Sequence, residues 1–245
     1  MLLRIRWPLL VLAFLLMGAA CGGGSESPPS IPALCPDSPQ PPPPTDNVFA
    51  NPGFEDGSAP WCFLKPPPFI RSEDVAHSGE ASARLPLRAD ESEQGNKIAY
   101  LVQETKLEEF PEVLSGYYRV ENWTKGTQKQ YLQFVVIVWG ADNAPGGYPN
   151  HQIRYLLAGI DSPPFSLANA HFVFLSREDP PVDEWVRFER NVREDFENLW
   201  GVVPEGFDYI RVLFEVRYDD KAVGEGPLGA DVYYDDLYFG PAPGP

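Results

Sequence analysis

The feature that most constrains the fold is an alternation of side-chain character with a period of two residues. In residues 131–139, Leu132, Phe134, Val136 and Val138 lie on one side, and the more polar remainder lies on the other. Successive side chains of a β-strand point to opposite faces of its sheet, so this spacing predicts a strand with a buried face. Further strands are predicted at residues 81–85, 98–104, 114–120, 152–158, 170–175, 185–192, 209–217 and 232–239, with residues 51–55 as a turn leading into a strand.

These short strands are separated by frequent glycine and proline residues, which interrupt regular structure. The chain holds 21 glycines and 28 prolines in 245 residues, and only residues 193–200 have a pattern that predicts a helix. Its apolar content of 43% is enough to bury a core. Many short strands, such turns and one short helix together predict an all-β sandwich or barrel over residues 46–241.

The N-terminal segment has the features of a targeting signal. Arg4 and Arg6 precede an apolar run at residues 8–17, which is too short for an ordinary membrane-spanning helix. The small residues before Cys21 resemble the bacterial lipoprotein signal, although Gly18 stands where that signal usually has leucine. The resemblance implies cleavage after residue 20, lipidation of Cys21 and an exported protein, periplasmic or on the cell surface, that is anchored to the membrane only through lipid. Plain secretion after cleavage at the same bond is the alternative.

Residues 21–45 are predicted to be an extended linker, since they are rich in glycine and serine and then hold nine prolines between Pro28 and Pro44. If Cys21 carries lipid, one cysteine pair remains, Cys35 and Cys62. In an exported protein this pair predicts a disulfide, with two free buried thiols as the alternative.

The formal net charge of −16 restricts the partners. It argues against a nucleic-acid ligand, because the phosphates would be repelled, and it suits a neutral or cationic ligand or Ca²⁺. The sequence has no nucleophile, zinc-protease or phosphate-loop motif, and His77, His151 and His171 are scattered. We therefore predict a protein that is not an enzyme, with a hydrolase of unrecognised type left open.

Two adjacent carboxylates, Asp235 and Asp236, lie in the last predicted strand, where aspartate is depleted. A bound cation would explain them, with its other ligands supplied by residues 51–55. The two ends of the domain would then be joined. Strand alternation also predicts that the two side chains point to opposite faces, so that they could not act as one catalytic pair.

Several stretches in chain order resemble the carbohydrate-binding modules attached to bacterial xylanases and endoglucanases. The resemblance implies a jelly-roll β-sandwich of the galactose-binding-like type, and it extends over nearly the whole predicted domain. The stretches are residues 51–55 with Trp61, 77–79 with 81–85, 114–120, 184–185, 214–215 and 233–236.

The resemblance also implies a structural Ca²⁺ where the first and last of these stretches meet. Glu55 and Asp235 would supply side-chain oxygens, and carbonyls near Gly53 and Glu80 would complete the shell. The chemistry is suitable, because Ca²⁺ takes six to eight oxygen ligands. The alternative is that the two aspartates end a strand in water.

For sugar binding, the resemblance implies a groove on a concave sheet. Aromatic rings there would stack on sugar C–H faces, and charged or amide groups would bond the hydroxyls. Tyr117 matches an aromatic position and Glu215 an acidic position that contact sugar in xylan-binding relatives. The main candidate contacts are Tyr117, Arg119, Tyr131, Gln133, Trp139, Arg211 and Glu215. Tyr209 and Arg217 share the polar face of Arg211 and Glu215 and are further candidates.

Each of these candidate side chains could instead pack across strands or pair with its neighbours. The expected function is non-catalytic binding of a polysaccharide or oligosaccharide at the bacterial surface by a monomer. The alternative is a structural or adhesive surface lipoprotein that binds a protein partner.

Overall fold

The computed structural model describes residues 39–242. Its ten strands and one helix follow the predicted order closely, and each predicted segment from residue 81 onward forms the expected element. The elements are β1 Ile70–Ser72, β2 Ser82–Ala89, β3 Gly95–Thr105, β4 Val113–Thr124, β5 Gln130–Trp139, β6 Asn150–Ala158, β7 Ala170–Phe174, β8 Trp185–Asn191, α1 Val192–Trp200, β9 Tyr209–Lys221 and β10 Leu228–Gly240.

The strands form two five-stranded sheets that pack face to face as a jelly-roll β-sandwich, which confirms the predicted fold class. The first sheet has the order β1-β2-β10-β4-β8 and is antiparallel throughout. The second sheet has the order β3-β9-β5-β6-β7, in which only β6 and β7 are parallel.

The core between the sheets is built by the apolar faces that the alternation predicted. Phe134 on β5 and Phe214 on β9 are fully buried. The Phe214 ring lies 5.2 Å from Tyr234 of the first sheet and 6.1 Å from Phe134, measured between ring centroids. Burying such rings removes a large apolar area from water, so this contact is a main source of the packing energy.

Residues 51–55 form turns, as predicted, but the strand expected to follow them is absent, since the first strand of the described residues is β1 at Ile70–Ser72. Asn51 and Phe54 have φ angles of 49° and 62°, in the left-handed region that a strand excludes. The Asn51 side chain donates to the carbonyls of Gly57 and Ala59 at 2.9 and 3.0 Å, which stabilises the turn. Phe54 is nevertheless fully buried.

The signal peptide, Cys21 and Cys35 lie outside the described residues, so cleavage, lipidation and the Cys35–Cys62 pairing stay predictions. The described end of the linker lies beside β3. The Gln40 N–H donates to the Glu104 carbonyl at 3.2 Å, and the Lys106 N–H donates to the Gln40 carbonyl at 2.8 Å. Within residues 39–242, no helix has the length and apolar character needed to span a membrane.

Asp231 connects three strands of the first sheet although its side chain is almost completely buried. Its Oδ1 accepts from Arg84 Nη2 at 2.8 Å, and its Oδ2 accepts from Asn122 Nδ2 at 2.9 Å and from Arg88. Desolvation acts to raise the pKa of Asp231, but the hydrogen bonds from Asn122, Arg88 and Arg84 outweigh it and lower the pKa. The ionised carboxylate therefore holds β10 to β2 and β4.

We expect Asp231→Ala to lower the free energy of unfolding by about 1 to 3 kcal/mol, the usual range for lost charged hydrogen bonds. Arg84 and Arg88 are 36% and 50% exposed, so water replaces part of the loss. Because the folded pKa is lowered, the contribution of Asp231 is present above its unfolded pKa and is lost as pH falls through the folded pKa. Urea denaturation across this range measures both effects.

The control is Glu189→Ala, which removes an exposed ion pair with Arg187 on the same sheet. Such surface changes stay within about 0.5 kcal/mol. Equal effects of the two substitutions would contradict the role given to Asp231.

Candidate functional site

Two carboxylates from opposite ends of the domain face one small space beside Gly53. A Cβ atom built on Gly53 would lie 3.6 Å from Asp235 Oδ1 and 3.9 Å from Glu55 Oε1. The Leu237 N–H also donates to the Pro52 carbonyl at 3.2 Å. The predicted meeting of residues 51–55 with the last strand is therefore confirmed.

Backbone N–H groups bind one side of each carboxylate. Glu55 Oε1 accepts from the N–H groups of Glu80 and Ala81 at 3.0 and 3.2 Å. Asp235 Oδ2 accepts from the His77 N–H at 2.7 Å. Asp235 is fully buried, and desolvation raises its pKa to about 6.

This donor set fits a hard cation. A carboxylate has about four lone-pair sites, so Glu55 and Asp235 keep acceptor capacity after these backbone bonds. No basic side chain in residues 39–242 forms an ion pair with either carboxylate. The same residues hold no group of three or more His, Cys, Asp or Glu side chains suited to a metal, so backbone carbonyls would have to contribute, as Ca²⁺ allows.

Asp236 does not point away from Asp235, so that prediction is wrong. Its Oδ2 lies 2.6 Å from His77 Nδ1, and its Oδ1 accepts from Ser78 Oγ at 2.6 Å, while Asp235 bonds the backbone of the same two residues. The reason is an irregularity in the β10–β4 pairing after Asp235, where Asp236 has a φ of 48°. Such a bulge breaks the alternation on which the prediction depended.

Tyr117 and Arg119 lie on β4 of the first sheet, whereas Glu215 lies on β9 of the second. The expectation that Tyr117 and Glu215 share one concave face is therefore wrong, because strand order is set by long-range pairing. The Tyr117 ring stacks on His77 with a centroid distance of 3.6 Å, and His77 lies 5.5 Å from Trp185.

The other five main candidate contacts share the outer face of the second sheet. Tyr131, Gln133 and Trp139 alternate along β5, and β9 places Arg217, Glu215 and Tyr209 directly opposite them. Arg211 lies opposite Ile137 on the same face. The structure thus brings together the larger part of the predicted set.

One end of this face is partly exposed and aromatic. Trp139 and Tyr209 are nearly parallel, with centroids 5.8 Å apart and an interplanar angle of 13°. The Arg211 guanidinium carbon lies 5.6 Å from the Trp139 ring, and Arg211 Nε donates to Glu104 Oε1 at 2.5 Å. We call Trp139, Tyr209 and Arg211 the aromatic end. It combines a flat apolar surface with charged hydrogen-bonding groups.

The middle of the face is an apolar strip formed by Val102, Val135, Ile137 and Leu213, and it is covered by residues 62–64. Backbone pairing holds these residues in place. The Cys62 N–H donates to the Val102 carbonyl at 3.1 Å, and the Val102 N–H donates to the Cys62 carbonyl at 2.9 Å.

The far end is a network of buried charges. Tyr131 Oη donates to Asp219 Oδ2 at 2.6 Å, and Arg217 Nε donates to the same oxygen at 3.1 Å. Arg217 Nη1 donates to Glu215 Oε2 at 3.3 Å, and the Gln133 amide nitrogen donates to that oxygen too. We call these five residues the buried network. Burial raises the pKa of the Tyr131 hydroxyl, so this hydroxyl stays a donor.

The expectation of an open polar face is wrong at this end. Tyr131 and Gln133 are 0% exposed and Glu215 is 3% exposed. Phe165, from the connection between β6 and β7, lies over the guanidinium of Arg217 at 5.4 Å from the ring centroid. Whether these side chains contact sugar stays a prediction.

The loop after Trp139 packs away from this face. The Asp142 N–H donates to the Glu205 carbonyl at 2.9 Å, and Asn143 Nδ2 donates to the Val203 carbonyl at 2.7 Å. These contacts hold the loop against residues 203–205.

Two residues of this face were missed in the sequence. Arg154 lies on β6 opposite Val135, and Phe165 lies over it at 5.1 Å from the guanidinium carbon. The alternation of Gln152 and Arg154 with apolar neighbours gave a signal for Arg154. Local pattern gave none for Phe165, because its partners are distant in sequence.

No protein-family model matches the chain, and no curated protein matches it. Among solved structures, the chain is similar to TmCBM61 in complex with β-1,4-galactotriose, with 15% identity, a TM-score of 0.43 and coverage of 80% of this chain and 98% of that chain. It is also similar to the C-terminal family 22 carbohydrate binding module of Clostridium thermocellum Xyn10B, with 11% identity, a TM-score of 0.42 and coverage of 81% and 95%.

A third similar structure is the enzymatically active domain of tailspike protein 4 of Bacteriophage CBA120, with 11% identity, a TM-score of 0.41 and coverage of 80% of this chain and 21% of that chain. Several of the solved structures to which the chain is similar are carbohydrate-binding modules, the kind of protein that the sequence resembles.

Proposed function

We propose that the protein binds carbohydrate without catalysing its hydrolysis, and that it does so on the outer face of the second sheet. The observation that carries the proposal is the aromatic end, where two nearly parallel, partly exposed rings lie beside the Arg211–Glu104 pair. Sugars are recognised by this combination, since rings take their C–H faces and charged groups bond their hydroxyls. The named ligands of the similar modules, β-1,4-galactotriose among them, are in keeping with it.

We expect Trp139→Ala to abolish or strongly reduce retardation of the protein in affinity gels that contain a bound polysaccharide. β-1,4-Galactan, xylan and soluble cellulose derivatives form the panel. The loss follows because the variant removes the flat ring that would pack on a sugar C–H face; for comparison, a pair of stacked aromatic rings contributes about 0.5 to 1.5 kcal/mol beyond its buried area. The measurement is the dissociation constant from mobility against polysaccharide concentration.

Trp185→Ala is the matched control, because Trp185 is a partly buried tryptophan on the first sheet. It should leave retardation unchanged. Equal losses of retardation in Trp139→Ala and Trp185→Ala would contradict the proposal. So would a second result, in which the wild type and both variants are folded and the gels retard none of them. The second result would favour the protein-partner alternative. Release of reducing ends from the polysaccharide would contradict the absence of catalysis.

We also propose a structural Ca²⁺ held by Glu55 and Asp235 with the carbonyls of Gly53 and Glu80. The support is the convergence of two carboxylates that lack a basic partner within residues 39–242, one of them fully buried. The ion would supply the positive charge that stabilises Asp235 in its ionised form.

Saturating Ca²⁺ should raise the melting temperature relative to EGTA by roughly 5 to 10 °C, which corresponds to about 2.7 kcal/mol at a hundredfold excess over the dissociation constant. The shift should vanish in Asp235→Asn and persist in Asp236→Asn, the adjacent carboxylate that bonds His77 and Ser78. Scanning calorimetry gives the result, and a shift that survives Asp235→Asn would exclude this site.

The pH dependence has a definite sign. The folded pKa of Asp235, about 6, lies above its ordinary value of 3.8. In EGTA, the contribution of Asp235 to the free energy of unfolding is therefore fully present below its unfolded pKa. This contribution is lost as the pH rises through the folded pKa. Ca²⁺ should reverse this trend, because it binds the ionised carboxylate.

We further propose that the domain is exported and held on a membrane by lipid on Cys21, with residues 21–45 as its tether. The support is the sequence of the first 21 residues. A Cys21→Ser variant should move from the membrane fraction to a soluble one, and unchanged membrane association would contradict the anchor.

A further inference from the structure

Three buried polar atoms on the outer face of the second sheet have no hydrogen-bond partner. One is Trp139 Nε1 at the aromatic end, and the other two lie near the buried network: Oε1 of Gln133 on β5 and Nη1 of Arg154 on β6. Arg154 lies opposite Val135, two residues along from Gln133, so the two side chains are diagonal neighbours on one face. Buried polar groups in proteins are nearly always bonded, so a pair of unbonded ones on adjacent strands calls for an explanation.

The orientation of the Gln133 amide is fixed by Glu215. A carboxylate oxygen only accepts, so the amide nitrogen must face Glu215 Oε2, and it does. The amide oxygen is then directed elsewhere as an unused acceptor. Because Gln133 is 0% exposed, bulk water does not satisfy this oxygen.

Arg154 provides the complementary unused donor. Its Nε donates to Gln152 Oε1 at 3.0 Å, and no ion pair among residues 39–242 includes it. Arg217, close by on β9, has both Glu215 and Asp219 as partners. The two guanidinium groups and two carboxylates leave this end of the face with no net charge.

A donor and an acceptor side by side distinguish between ligand groups. A hydroxyl can accept from Arg154 and donate to Gln133 at once, whereas a carboxylate could only accept and would be repelled by the Gln133 oxygen. The overall charge of −16 opposes polyanions as well. We propose that Gln133 and Arg154 form a subsite for a hydroxyl of a neutral sugar, and that uronic-acid polymers are excluded. This inference rests on the proposed function and specifies its ligand class.

Phe165 covers the subsite. Its ring lies 5.1 Å from the guanidinium carbon of Arg154 and 5.4 Å from that of Arg217, on the outer side of the sheet. The ring belongs to the stretch between β6 and β7, residues 159–169. A sugar ring that packs over the Arg154 guanidinium must take the place of Phe165, so this side chain moves out when the sugar enters.

The test is titration calorimetry of the wild type and variants with neutral β-1,4-galactan and neutral xylan, and with polygalacturonate as the acidic probe. Gln133→Met and Arg154→Met should each weaken binding of the neutral glycan by roughly tenfold, the effect of leaving a buried polar partner unmatched. Because one hydroxyl bridges both groups, the double variant should lose scarcely more than either single variant.

The control is Arg177→Met, since Arg177 lies 4.1 Å from the Phe174 ring and donates to the Asp161 carbonyl near the same sheet edge. It should bind as the wild type does. Phe165→Ala should lower the apparent dissociation constant roughly tenfold, because no side chain then competes with the sugar for the subsite, and Leu167→Ala, an exposed change in the same connection, should not. Melting temperatures identify any variant that fails to fold.

The outcomes are distinct. Both methionine variants could bind the neutral glycan with unchanged affinity and differ from the wild type only in melting temperature. Ordered water would then fill the subsite. This result would overturn the inference and leave the proposed function standing. Preferential binding of polygalacturonate would also overturn the inference. Binding of no glycan by the wild type would overturn the proposed function together with the inference.

Discussion

The pairing of Arg217 with Glu215 and Asp219 is the interaction on which the outer face of the second sheet depends. Buried charges are tolerated only when they are paired and fully hydrogen-bonded, since removing one partner leaves the other desolvated. With Arg217 in place, Tyr131 can donate to Asp219 and Gln133 to Glu215. The donor and acceptor that remain unused beside the buried network are consequences of that arrangement.

A second constraint acts at the other sheet, where residues 51–55 meet β10. The Asp235 carboxylate is fully buried and accepts from the N–H groups of residues 77 and 78, and nearby the Leu237 N–H donates to the Pro52 carbonyl. Its raised pKa shows that the backbone donors do not balance the desolvation. A cation at this point would balance it and would join distant parts of the chain. This arrangement concerns the stability of the sandwich, whereas the ligand surface that we propose lies on the second sheet.

The sequence was sufficient to predict elements whose character is set by their own residues. Strand β5 was predicted from the alternation of its own side chains, and helix α1 from a stretch without that alternation. Both patterns are local properties of the sequence. The partnership of Glu55 with Asp235 came from a family resemblance. Two features could not be predicted locally: the separation of Tyr117 from Glu215, which depends on strand order, and the position of Phe165 over Arg154 and Arg217, which depends on the path of the β6–β7 connection. The Asp236 side chain departs from the alternation because the φ of Asp236 itself lies in the left-handed region, which changes the direction of the side chain.

The two ends of the candidate face are best understood as separate subsites. Trp139 and Tyr131 are eight residues apart on β5, which corresponds to about 26 Å along an extended strand. Between them, Cys62 is bonded to Val102 through both of its backbone groups, and its neighbours Phe63 and Leu64 cover the apolar strip. Exposing that strip would cost about 25 cal/mol for each square ångström of apolar area, in addition to the two backbone bonds. Under the proposed function, a single sugar unit would contact one end only. A longer glycan would gain from both ends if it passed along the edge of the cover, and its affinity would then reflect two local contacts in one chain.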